Sequence, residues 1–172
     1  MITELAHPPT AARPDASASP LAITLRPAVK TDLPFLRKHW QSAMSPHFRA
    51  AGLSPEQEDP ERRLRMDFDI ASIILRDGDA IGMLKLDRAA QPWRLVQLLL
   101  APEAQGQGLG TALLRTLTAE ADARGAAMEL SVLKSNPAKR LYQRLGFATV
   151  AEEPLSWTMR RSATHPANAA QP

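Results

Sequence analysis

Apolar positions change period repeatedly along this chain, and each change marks an element. Ile23-Thr24-Leu25-Arg26-Pro27 alternates, as a half-buried strand does. Thr31-Asp32-Leu33-Pro34 opens a helix, with Thr31 placed to cap it and Pro34 tolerated in its first turn. Leu33, Leu36 and Trp40 fall on one face of that helix, and His39 lies at its edge. Met44 to Gly52 is mixed in character. Ser54-Pro55-Glu56-Gln57 reads as a capping box and Asp59-Pro60-Glu61 as a second helix start, so one or two short helices are expected before Asp67. Ile70, Ile73, Ile74 and Leu75 then predict a strand. Asp77-Gly78 predicts a hairpin, and Ala80 to Leu86 is its return strand, with Gly82 at a bulge or close approach. After a turn over Ala89 to Pro92, Trp93 leads an apolar strand to Ala101, interrupted by Gln97. Leu109, Leu113, Leu114 and Leu117 recur at helical spacing, and Gly125 caps that helix at its end. Met128 to Leu133 is the next strand, and Asn136-Pro137 starts a helix that ends at Gly146. Phe147 to Val150 and Leu155 to Arg160 form a terminal strand pair.

Composition narrows the class without changing that outline. The 172 residues are 44% hydrophobic and 23% charged, the balance of one soluble globular domain. With no cysteine, disulfides, thiolate chemistry and Cys-based zinc sites are excluded. Nothing in the pattern suggests any other metal site. A net charge of +3 is too small to argue for nucleic acid, and Arg62, Arg63 and Arg65 read as a solvated helix face. No apolar run reaches membrane-span length and the start lacks a signal-peptide pattern, so the expected setting is cytoplasmic. Residues 1–20 and 162–172 have no hydrophobic period and are expected to be disordered around a domain spanning 21–161.

Candidate chemistry concentrates where the central strand meets the long helix. Three of the eight glycines, Gly106, Gly108 and Gly110, crowd into Gln105-Gly106-Gln107-Gly108-Leu109-Gly110-Thr111. A strand, a glycine turn and a helix start leave unobstructed amides at the positive end of a helix dipole, where phosphate binds well. A P-loop would need Lys before the Thr, and none is present. A dinucleotide fingerprint would need a different glycine spacing and more sheet after the loop.

The loop resembles the Gln/Arg-x-x-Gly-x-Gly/Ala motif of the GCN5-related N-acetyltransferase (GNAT) superfamily, which holds the pyrophosphate of acetyl-CoA. A second block, from Glu129 through Asn136 and Tyr142 to Gly146-Phe147, resembles the same superfamily's strand-Asn-helix-Tyr-Gly-Phe segment. The resemblance runs from about Ile23 to Arg160 and is strongest in the second half. It implies an α/β (α+β) GNAT fold, a mixed sheet of roughly six to seven strands with splayed central strands and about four helices. It implies acetyl-CoA as cofactor and, as activity, acetyl transfer to a primary amine of a small molecule or peptide by direct attack in a ternary complex. A non-catalytic acetyl-CoA sensor or regulatory module of the same fold is the alternative. The chain would act as a monomer or homodimer, with no nucleic-acid or membrane partner.

Carried onto these residues, the resemblance puts pantetheine between the strand ending at Ala101 and the strand starting near Met128. Backbone groups of Leu98 and Leu100 would bond its amides, and Gln105, Gly106, Gln107, Gly108, Leu109, Gly110 and Thr111 would hold its phosphates. Asn136 matches a pantetheine-contacting Asn, although an Asn before Pro is equally a helix cap. Tyr142, the only tyrosine, matches the residue that protonates the departing sulfur in many relatives. Gln97 stands where many relatives carry a general-base Glu. An amide can hold a water but cannot take its proton, so Glu129, Asp87 and His47 become candidates for the base. His47, Phe48 and the helix after Asp59 are expected to line the acceptor cleft near Gln97.

Overall fold

In the computed structural model, residues 23–54 and 59–164 are described. Eleven helices and strands follow in chain order: β1 (Ile23–Pro27), α1 (Leu33–Ala50), α2 (Pro60–Arg65), β2 (Ala71–Arg76), β3 (Asp79–Asp87), β4 (Trp93–Leu100), α3 (Leu109–Ala123), β5 (Met128–Leu133), α4 (Ala138–Arg144), β6 (Ala148–Glu152) and β7 (Ser156–Arg161). The strands form one 7-stranded sheet in the order β1-β2-β3-β4-β5-β7-β6. Every neighbouring pair is antiparallel except β4 and β5. This is the mixed α/β sheet expected, with four α-helices.

Two cores sandwich the sheet. On one face, Leu113, Leu114, Leu117 and Ala121 of α3 pack with Leu95 and Met128. Leu141 and Tyr142 of α4 join them. On the other face, Leu36, Trp40 and Phe48 of α1 and Leu64 of α2 pack on Ile73, Met83 and Leu99.

Helix α1 departs from the sequence expectation twice. Thr31 does not cap it; Asp32 stands at the cap, and its carboxylate instead accepts from the Val29 amide at 2.9 Å and pairs with Arg26. The helix also continues through the mixed segment, past Pro46, to Ala50. Proline there removes one backbone bond. The stripe Leu36, Trp40, Met44, Phe48 recurs every fourth residue and packs against the sheet, so tertiary burial outweighs the local break. Helix α2 starts as expected, with the Asp59 carboxylate accepting from the amides of Glu61 and Arg62. Most of the capping box at 54–57 lies outside the described residues, as do 1–22 and 165–172.

The β2–β3 hairpin turns on Asp77 and Gly78, both left-handed at φ 53 and 90, as a two-residue type I′ turn requires. Gly82 is a close approach: a Cβ there would sit 2.1 Å from the Leu99 carbonyl oxygen. Two bulges shape the centre. The first leaves Ile81 unmatched between Ile74↔Gly82 and Leu75↔Ala80. The second leaves Val96 unmatched between Lys85↔Gln97 and Leu86↔Leu95. Without it, Leu95, Gln97 and Leu99 would share a face. With it, Leu95 joins the α3-side core and Leu99 the α1-side core. The bulge therefore turns Gln97 toward α1 and α2.

Candidate functional site

β4 and β5 pair only at their starts, through Trp93↔Met128, Arg94↔Glu129 and Leu95↔Leu130. Beyond Leu95 they part, at the Val96 bulge. β5 stays paired to β7 along its whole length, so it is the β4 side that opens. Backbone direction along β4 follows from one bond. The Ala101 amide donates to the Ile81 carbonyl at 2.8 Å, so residues 101, 99 and 97 point their backbone groups at β3. Leu98 and Leu100, alternating with them, turn theirs into the gap. A row of unpaired backbone groups in a sheet accepts an extended ligand bearing amides. The Leu100 carbonyl already accepts from Gln105 Nε2 at 2.8 Å.

At the end of the gap lies the glycine loop. Gly106 and Gly108 are left-handed, at φ 73 and 77, and Gly108 is the N-cap of α3. A Cβ at either would meet no atom within 4 Å, so the loop surface is open. The first helical bond runs from the Ala112 amide to the Gly108 carbonyl, which leaves the amides of Leu109, Gly110 and Thr111 without helical acceptors. The side chains of the two loop glutamines are spent internally. Gln105 holds Leu100, while Gln107 donates to the Glu103 carbonyl and accepts from Arg76. What the loop presents is main-chain N–H at a helix start, a fit for phosphate.

On the α1–α2 face, a cavity of about 290 Å³ meets the gap. Trp40, Met44 and Phe48 of α1 wall it on one side, and Leu98, Leu130 and Leu133 reach it from the two parted strands. Gln97, Lys85, Asp67, Arg63, Ser131 and Tyr142 supply its polar groups. Tyr142 belongs to the α3-side core, contacts Phe147 edge-on at 5.9 Å, and reaches the cavity past the parted strands. Burial pushes its phenol pKa up to about 12, so the hydroxyl stays protonated at any ordinary working pH.

The structure thus gathers Gln97, Leu98 and Tyr142 around one cavity, with Phe48 and the end of α2 as its walls. Other expected residues lie apart from it. Asn136 Oδ1 accepts from the Ala138 amide at 2.9 Å, a helix-start bond. Glu129 is ion-paired to Arg160 at 2.6 Å. Asp87 accepts from the amides of Ala89 and Ala90 in the turn before β4. His47 is not among the residues lining the cavity; its carbonyl accepts from Ser135 Oγ at 2.8 Å and ties α1 to the loop after β5. None of the three base candidates lines the cavity that holds Gln97.

Three polar residues of the cavity, Lys85, Asp67 and Ser131, escape the sequence reading. Lys85 is 1% exposed, lies opposite Gln97 in the β3–β4 register, and donates to the carbonyls of Arg63, Leu64 and Met66. It caps the C-terminal end of α2 from the sheet floor. Desolvation pushes its pKa down while the charges of Asp67 and Asp69 oppose that shift. A lysine in an apolar strand pattern is the available signal. Asp67, with its left-handed backbone, is the second. Among the described residues no cluster of His, Asp or Glu could hold a metal, and no helix is long and apolar enough to cross a membrane.

Comparison with known proteins agrees with this geometry. The profile of the acetyltransferase (GNAT) family matches residues 33–147, more than half of the chain. The fold is similar to that of PaiA N-acetyltransferase from Thermoplasma acidophilum in complex with coenzyme A (TM-score 0.65, 19% identity, covering 82% of this chain and 99% of that one). It is similar also to an acetyltransferase from Thermus thermophilus (TM-score 0.63, 27% identity, 81% and 96%). A third likeness is to the ribosomal-protein-S18-alanine N-acetyltransferase from Escherichia coli (TM-score 0.63, 20% identity, 87% and 99%). The cosubstrate of this family is acetyl-CoA. The parted strands, the glycine loop at the start of α3 and the matched profile together show that the chain belongs to the GNAT family of acetyltransferases.

Proposed function

We propose that this chain is an N-acetyltransferase that moves the acetyl group of acetyl-CoA to a primary amine of a small molecule or peptide, by direct attack in a ternary complex. The observation that carries this reading is the cavity. It opens on the gap between β4 and β5 from the face opposite α3, so an acceptor and a cofactor can approach one point from two sides.

Acetyl-CoA supplies the acetyl group as an activated thioester. The chain's part is to hold, orient and move protons. The amides of Leu109, Gly110 and Thr111, beside Gly106 and Gly108, would take the phosphates. Backbone groups of Leu98 and Leu100 would fix the pantetheine arm as an added strand. Gln105 and Gln107 act by holding the loop in shape, and Asn136 by starting α4. The neutral Tyr142 hydroxyl is suited to give a proton to the departing sulfur as the C–S bond breaks, and Gln97 to hold a water that passes the proton lost by the amine to solvent.

Release of CoA in the presence of polyamines, amino acids, aminoglycosides and N-terminal peptides tests the proposal. Turnover with one amine class supports it. Tight acetyl-CoA binding with no turnover on any of them would favour the non-catalytic sensor.

A further inference from the structure

A primary alkyl amine is an ammonium ion near neutral pH; the lysine side chain, with an ordinary pKa of about 10.4, is the model. An acceptor site that takes such an amine from water has to meet its charge. The cavity here is walled largely by aromatic and aliphatic side chains, and among the described residues Asp67 is the acidic one that lines it, beside the basic Arg63 and Lys85. That carboxylate makes no helix-cap bond. Among the described residues its one ion pair is a loose contact, 4.0 Å from Arg94. Arg94 is itself 53% exposed and lies nearer Asp87, at 3.6 Å. Asp67 therefore keeps capacity to accept hydrogen bonds from a ligand.

Its backbone is set for that aim. Asp67 is left-handed at φ 53 and ψ 36. Asp77 shares the same φ, but there the hairpin demands it. No hairpin surrounds Asp67. The conformation instead belongs to the turn between α2 and β2, where the side chain, 35% exposed, lines the cavity. Just before it, the Met66 carbonyl is fastened to the Lys85 ammonium. The donors of Lys85 are taken by three carbonyls, so it anchors this turn and gives no hydrogen bond to Asp67, although the Asp67 charge favours its ammonium form.

We propose that Asp67 is the acceptor-recognition residue of this protein: its carboxylate receives the ammonium of a cationic primary amine whose apolar body lies against Trp40 and Phe48. The proposal rests on the acetyl-transfer reading and adds to it the acceptor's charge class. Arg63, exposed at the same cavity, offers the opposite preference, a carboxylate-bearing acceptor. The two are separable by experiment.

Phenethylamine and 1,4-diaminobutane are the probes, titrated calorimetrically into the CoA-saturated wild-type protein and into the Asp67→Asn variant. Asn tolerates left-handed backbone as Asp does, so the variant removes the charge without straining the turn, and a matching melting curve checks that Lys85 still anchors it. The expected result is that at least one probe binds the wild type, and that Asp67→Asn weakens it about tenfold or more. Added salt should erode the wild-type affinity and leave the variant's nearly unchanged. Phenylalanine, which adds a carboxylate to phenethylamine, should bind the wild type more weakly than phenethylamine does. Equal affinity in the two proteins, no binding of either probe by the CoA-loaded wild type, or a preference for phenylalanine would each overturn the assignment. Failure of CoA itself to bind would be seen before any amine is added; it would remove the acetyl-transfer reading and this proposal with it.

Discussion

The two faces of the sheet are built by different means. The α3 face, with its glycine loop, works through backbone: left-handed Gly106 and Gly108, free amides at a helix start, and the carbonyls and amides of β4. All of it comes from one continuous run, β4 to α3. The α1–α2 face works through side chains brought from five elements and the turn after α2. Trp40, Arg63, Asp67, Lys85, Gln97 and Tyr142 meet only because the sheet folds. A face made of main chain tolerates little change in backbone conformation and serves one ligand. A face made of scattered side chains can be altered residue by residue, which suits the half of the site proposed to choose an acceptor.

Substitutions should separate the two faces. The largest effect is expected from Gly108→Val. A β-branched residue at φ 77 carries about 1–3 kcal/mol of strain at the mouth of the proposed anion site. Acetyl-CoA binding should be lost by calorimetry while the melting transition stays cooperative. Tyr142→Phe comes next and should leave that binding intact. If the hydroxyl protonates the leaving sulfur, turnover falls about a hundredfold; unaltered turnover would reduce Tyr142 to packing. The wild-type phenol also has a signature in stability. Its raised pKa adds stability that is fully present below pH 10 and is lost as pH rises toward about 12. Alkaline denaturation of Tyr142→Phe should lack that component.

Legibility in the sequence follows the same division. The loop, Gln97, Tyr142 and the strands around them can be read because their signals are local: glycine spacing, an apolar run ended by Pro102, a helix start after Asn136. The Val96 bulge is not legible, since nothing in Leu-Val-Gln-Leu marks which residue is extra; register with β3 decides it. The full length of α1 is hidden because Pro46 is a strong local breaker, and only packing of Met44 and Phe48 on the sheet carries the helix past it. Lys85 reads as one polar residue in a strand. Its role exists only once the end of α2 lies over it. His47 sits next to Phe48 in the chain, which suggests the cleft, but on a helix adjacent residues face different ways.

Smaller effects probe that second face and then the scaffold. Lys85→Met leaves three backbone carbonyls without their charged donor, at a cost of about 2–3 kcal/mol in denaturant unfolding. Acceptor KM should rise while acetyl-CoA affinity barely moves, since the tie holds α2 and not the loop. The smallest effect is at the bidentate pair of Asp122 and Arg161, neither of which lines the cavity. The Arg161 guanidinium holds the Asp122 carboxyl below its ordinary value of 3.8. That contribution is present above pH 3.8 and is lost as pH falls through the lowered pKa. Asp122→Asn should cost about 1 kcal/mol at neutral pH, with kcat and KM unchanged.

The gap between β4 and β5 is where the two faces meet, and amide hydrogen exchange followed by NMR tests it directly. Leu98 and Leu100 are the β4 residues whose amides turn into the gap, and Leu109, Gly110 and Thr111 carry the free amides of the loop. Saturating acetyl-CoA should slow exchange at both groups together, while the amides of Leu99 and Ala101, already bonded toward β3, change little. Protection confined to the loop, or appearing at the α1–α2 cavity with Leu98 and Leu100 unaffected, would contradict an acetyl-CoA arm lying between the parted strands.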